Sequence, residues 1–179
     1  MVKQKIQDFY TVAQERDFAR NFLFRVVNIS TGAGSNISFD EKDLVYIRTF
    51  VLPDRAIENA EVPFMGLKFN IPKSVSYPSS SDWKVKFWCD ANMVVRNKLE
   101  AWTRETFDDD DSTGNYLTPK QSSVVDIVQL DPQLNAIQQI KLVGVYCRGI
   151  GAINNIDTGG DGSPLEFEAT LSYHYWKRV

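Results

Sequence analysis

The chain holds little of what catalysis is built from. One histidine and two cysteines occur in 179 residues, which removes a histidine cluster for a metal and leaves no evident base beside a serine or cysteine nucleophile. Long apolar runs are missing as well. None is long enough to span a bilayer, and Met1-Val2-Lys3-Gln4-Lys5 leads into polar sequence instead of an apolar signal core, so the expectation is a soluble protein made in the cytoplasm. Nor is there a basic excess: 20 Lys and Arg stand against 23 Asp and Glu, for a net charge of −3. Electrostatics therefore supply no reason for tight binding of nucleic acid. Cys89 and Cys147 lie in separate apolar runs without a CxxC pairing and read as buried reduced thiols, a bridge between them being the open alternative. No disulfide is needed, because a chain of this length forms one domain that buries roughly 70% of the surface its unfolded form exposes.

What is present is alternation. Leu165, Phe167, Ala169, Leu171, Tyr173 and Tyr175 interleave with Glu166, Glu168, Thr170, Ser172 and His174, the pattern of a strand with one apolar and one wet face. Further strands are expected at Phe22 to Ile29, Trp83 to Cys89, Ser123 to Leu130 and Ala136 to Cys147. The glycine-rich turn 31–36 is expected to fold the first of them into a hairpin with Ile37 to Phe39, and Leu44 to Leu52 is another apolar run. Asp90 is placed to cap a helix on which Ala91, Val95, Leu99 and Trp102 recur at helical spacing. A short helix with Phe9, Val12 and Ala13 as packing points is expected before Arg20. The fold class is mainly β: a single-domain barrel or sandwich over residues 1–179 with one packed helix. Trp83, Val95, Leu99, Trp102, Phe167 and Leu171 are its expected core.

From Pro53 to Ser81 the character changes. Pro53, Pro63, Pro72 and Pro78 punctuate a segment that still carries Val62, Phe64, Met65, Leu67, Phe69, Ile71 and Val75. Prolines keep it out of a central sheet position, yet it is too apolar for a solvated linker. Two readings are equally consistent with this: an extended arm that buries its apolar groups against something else, or an edge hairpin packed on its own domain.

The remaining motifs point to turns. Asp109, Asp111, Thr113 and Gly114 imitate a calcium loop, but its closing position falls on Lys120 where a bidentate Glu is needed. Asp157-Thr158-Gly159 spells an aspartic-protease triplet inside a glycine-rich loop, with Asn154 and Asn155 before it, whereas that chemistry needs paired carboxylates in a cleft. Gly32-Ala33-Gly34 lacks the third glycine and following helix of a dinucleotide site. His174 lies on the polar side of the last strand and reads as a surface or interface residue. No cofactor and no metal are called for.

Taken in order, Asp17-Phe18-Ala19-Arg20, Leu52-Pro53, Val62-Pro63-Phe64-Met65-Gly66 with Ile71-Pro72, Asp82-Trp83 and Tyr175-Trp176 resemble the tail tube protein of contractile-tailed (T4-like) bacteriophages over residues 17–177. The acidic stretch Asp108 to Asp111 departs from that pattern. The resemblance implies a non-enzymatic subunit whose homohexameric rings stack into a hollow tube, with tail sheath, baseplate and tail terminator proteins as partners. It implies a virion tail, assembled in the host bacterial cytoplasm, that penetrates the host envelope on sheath contraction and conducts DNA without gripping it. It also gives the arm a destination on neighbouring copies, making Pro53, Val62, Pro63, Phe64, Met65, Leu67, Phe69 and Ile71 the candidate assembly interface. Two other readings remain: the tube of a contractile injection or type VI secretion-like system, and a β-sandwich binding module or enzyme with the arm as a lid.

Overall fold

Period-two patterning generates most of the architecture in the computed structural model, which describes residues 5–114, 121–154 and 156–179. In chain order the elements begin with helix α1 (Ile6–Arg16), strand β1 (Phe24–Thr31), the short helix α2 (Glu41–Leu44) and β2 (Ile47–Phe50). Then come β3 (Ala56–Phe64), β4 (Leu67–Ser76), a 3-10 turn at Pro78–Ser81, β5 (Trp83–Trp88) and α3 (Val94–Thr106). The two-residue strands β6 (Phe107–Asp108) and β7 (Thr113–Gly114) precede β8 (Ser123–Leu130), β9 (Ala136–Val143), β10 (Tyr146–Ile150), β11 (Glu166–Ser172) and β12 (Tyr175–Arg178). Two four-stranded sheets result, ordered β1-β8-β9-β12 and β10-β11-β5-β2, while β3–β4 and β6–β7 are separate ribbons. The fold is thus mainly β, a two-sheet sandwich with a few short helices.

The apolar faces of these sheets meet in one core. Trp83, Val85 and Phe87 of β5 lie beside Phe167, Ala169 and Leu171 of β11, opposite Val125, Ile127 and Leu142 of the other sheet. Phe87 and Phe167 stack with centroids 5.3 Å apart. Helix α3 covers this core with Val95, Leu99 and Trp102, all buried. Its start is held by Asp90, whose carboxylate accepts from the Val94 and Val95 amides at 3.0 and 3.4 Å. Ala91, expected on the apolar stripe, is instead exposed in the turn before the helix.

Three sequence expectations are corrected. Ile37 to Phe39 forms no strand, and β1 pairs with β8. Ile37 and Phe39 turn inward onto the core, Phe39 lying 6.0 Å from the Trp102 ring, while the Thr31 hydroxyl donates to the Ile37 carbonyl at 2.6 Å. Burial under α3 wins over extension of the ladder. The expected strands Ala136 to Cys147 and Leu165 to Trp176 each divide, with one half in each sheet. Gly144, at φ +71°, and Val145 both donate their amides to the Ser123 carbonyl, turning the first of them. His174 sits against that corner, its amide 2.9 Å from the Val143 carbonyl. The alternation slips by one residue there: Tyr173 is buried, His174 and Tyr175 are exposed, and Trp176 packs on the core. Strands that switch sheets at a corner are a recurrent solution in sandwiches.

Candidate assembly interface

The β3–β4 ribbon settles the character of the proline-punctuated segment. Its tip, Met65-Gly66, has φ of 48° and 84°, the double positive-φ turn that matches strand twist in a two-residue hairpin. Cross-strand partners share a face, and the register pairs Ala60 with Ile71, Val62 with Phe69 and Phe64 with Leu67. One face of the ribbon is therefore apolar from tip to midpoint. The opposite face carries Pro63 beside Lys68 and Glu61 beside Asn70, with Lys68 and Glu61 ion-paired at 2.9 Å.

Val62, Phe64, Leu67, Phe69 and Ile71 are all exposed, Pro63 is exposed, and Met65 at the tip is 89% exposed. Pro53, at the root, is half-buried. The two strands contact each other extensively and the rest of the subunit at most marginally. The ribbon is thus not packed on its own domain, which disfavours the edge-hairpin reading and leaves its apolar face uncovered within the subunit. An isolated two-stranded hairpin is marginal in water, and an amphipathic one presenting this much apolar surface carries the signature of an interaction site.

Helix α1 is a second unpartnered element, which sequence reading placed but did not single out as a surface. Ile6, Phe9 and Tyr10 follow one stripe and are exposed, and Phe9 meets the Phe18 ring at 6.1 Å. No residue of α1 is buried. The sandwich also leaves β1, β12, β10 and β2 as sheet edges, whose outer backbone groups are open to further pairing.

Charge pairs mark the outward faces of both sheets. Lys84 meets Glu168 at 3.2 Å, and Arg48 pairs with Glu166 while its guanidinium lies 4.6 Å from the Trp88 ring centroid. On the other sheet Asp126 accepts from Asn28 and Gln139 at 3.0 and 3.1 Å, with Lys141 3.6 Å away.

The chemistry-like motifs resolve into turns. Asp157 accepts the Gly159 amide on its side chain and the Gly160 amide on its carbonyl at 2.9 and 3.2 Å, an Asx-type turn. Asp108 and Thr113 bracket the β6–β7 ribbon. Lys120 and Asn155 lie outside the described residues. Among the described residues no group of three or more His, Cys, Asp or Glu is placed to hold a metal, and no helix is long and apolar enough to cross a membrane. Both cysteines are free thiols, Cys89 half-buried and Cys147 buried. Burial pushes the Cys147 thiol up to about 12, the opposite of what a reactive cysteine needs.

No protein-family model and no curated protein sequence matches the chain. Solved structures do. A chain in the sheath/tube terminator of PVC, an extracellular contractile injection system, in its extended state matches with a TM-score of 0.62 and 9% identity, over 90% of this chain and 96% of that one. A chain of the PVC sheath–tube complex in the extended state matches with a TM-score of 0.59 and 9% identity, covering 94% and 96%. A chain of the six-fold-symmetrised baseplate of the anti-feeding prophage matches at 0.52 and 12%, covering 87% and 89%. At such identities the likeness is one of fold, a fold that this chain shares with chains of contractile injection assemblies.

Proposed function

We propose that this chain is a structural, non-catalytic subunit that builds the tube of a contractile injection apparatus, as stacked homohexameric rings. The observation that carries the reading is the arm: a ribbon with one continuous apolar face that its own subunit leaves uncovered. A neighbouring copy, in the same ring or the next, is the surface it serves, and the open sheet edges are joined in the same assembly. The shared fold supports this, since its relatives come from sheath–tube, terminator and baseplate assemblies. Sheath, baseplate and terminator components are then the expected partners.

A phage tail tube that conducts DNA is the second reading. It is favoured by the ordered motifs from Asp17-Phe18-Ala19-Arg20 to Tyr175-Trp176. Genes for a capsid and a terminase beside this one would select it, and genes for toxin-like effectors would select the injection system. Electron microscopy of the purified protein tests the shared claim. Rings or hollow tubes with six subunits per turn are expected, and persistent monomers over a wide concentration range would overturn it.

A further inference from the structure

The segments that join the arm to the sandwich are Val51 to Arg55 and Tyr77 to Asp82. They hold Pro53 and Pro78 and no glycine, so neither root is built as a loose hinge. Both are tied to the domain. The Trp83 indole donates to the Val51 carbonyl at 2.6 Å, and the Trp176 indole donates to the Asp54 carbonyl at 2.7 Å. The Asp54 carboxylate spans from one root to the other, accepting the Ser79 amide at 3.0 Å and the Ser79 hydroxyl at 2.7 Å. That carboxylate has no proton to give, so Ser79 is the donor to it, and the Tyr173 hydroxyl, 2.9 Å from Ser79 Oγ, donates in turn to Ser79. One residue on, the Ser80 carbonyl accepts from the Tyr173 amide at 2.8 Å and the Ser172 hydroxyl at 2.9 Å. Three of the motifs behind the family resemblance, Leu52-Pro53, Asp82-Trp83 and Tyr175-Trp176, thus converge on the arm's base although the sequence scatters them.

We propose that the Asp54–Ser79–Tyr173 relay, with the Trp83 and Trp176 indoles, is a clamp that fixes the arm's exit direction before assembly. Its members are positioning residues: they act by holding the apolar face of β3–β4 in the orientation a neighbouring copy receives. The inference rests on the arm being the assembly element. The physical advantage is preorganisation, since a segment ordered in advance loses less conformational freedom when it docks.

The test uses the full chain with Cys89→Ala, leaving the buried Cys147, and with spin labels at Asn70→Cys on the arm's polar face and Ala101→Cys on α3. Distances between the labels are measured in unassembled subunits, and tube growth is followed by light scattering and microscopy. Asp54→Ala combined with Tyr173→Phe should broaden the distance distribution at least about twofold and slow growth on the order of tenfold through lost preorganisation. Asp54→Asn, which retains an acceptor, should restore much of both, and circular dichroism should stay native because the Tyr173 ring remains. Trp176→Phe is the second variant, removing one indole donor while keeping an aromatic ring. An unchanged distribution in both variants, or a broadened one with unchanged growth, overturns the clamp. Phe64→Ser with Phe69→Ser separates this from the parent reading: normal growth with the apolar face destroyed would remove the arm's role altogether.

Discussion

Trp102 fills the space between α3 and the sandwich at 5% exposure, against Phe39, so Trp102→Ala should lower folding stability by about 3–5 kcal/mol in chemical denaturation. The slope of unfolding with denaturant should hold steady if the fold is otherwise intact. At the cysteines the expectation is kinetic. The buried Cys147 thiol, held up to about 12, should resist a neutral-pH thiol reagent in the folded protein and react only on unfolding. Cys89 is less enclosed, and burial raises its thiol too, so it should react slowly and before Cys147. Prompt labelling of both would mean the sheets part readily in solution. Single residues were also where sequence reading was strongest: Trp83, Val95, Leu99, Trp102, Phe167 and Leu171 are all buried, because period alone decides which side chains point inward. It failed at Ala91, where the chain needs a turn before the helix begins and the helical spacing is coincidental.

At the scale of elements, Asp90 and the arm give contrasting expectations. Partial burial raises the Asp90 carboxyl, but the amides of Val94 and Val95, with those of Asp90 itself and Asn92, together outweigh it and leave the group below the ordinary carboxylate range. Its folded value lies below the unfolded ~3.9, so its contribution is complete above that pH and is lost as pH falls through the folded value. Asp90→Ala should cost about 1 kcal/mol near neutral pH, and the gap to the parent protein should close under acid, as thermal unfolding at several pH values would reveal. Changes on the arm should behave oppositely. Phe64→Ser with Phe69→Ser removes side chains each worth about 1.5–3 kcal/mol when buried at an interface, so tube growth should fail while circular dichroism and thermal stability hold. Loss of the fold itself would mean the arm is core. The existence of this arm was legible from prolines set among apolar residues, but its projection was not, because the same pattern suits a hairpin packed at home. The corners at Gly144 and His174 were hidden for a related reason: alternation continues almost unbroken through both, and only tertiary pairing shows that each run changes sheet.

For the whole molecule the decisive surface is the wall of the channel that the proposed tube would enclose. A conduit for a polyanion must let phosphates pass without holding them, and several ammonium or guanidinium contacts would create a strongly salt-dependent trap. The chain's charge of −3 leaves no basic surplus, and the outward faces of both sheets set basic side chains beside carboxylates: Lys141 with Asp126, Lys84 with Glu168, Arg48 with Glu166. Whichever sheet turns inward, phosphates then meet, among the described residues, few cations free of a partner, such as Lys86 on one face and Arg25 on the other, and aromatic rings stacked with free cations, the device that grips single strands, are not what these faces offer: the Trp88 ring lies beneath an Arg48 that is itself paired with Glu166. Assembled tubes should therefore bind double-stranded DNA negligibly near physiological salt, with little change in the apparent constant as salt is lowered moderately. A high-resolution map of the tube should show a lumen that is neutral to negative. Tight, salt-sensitive binding traced to the inner wall would refute passive conduction even with the tube confirmed, because the paired cations would then be exchanging their carboxylates for phosphate.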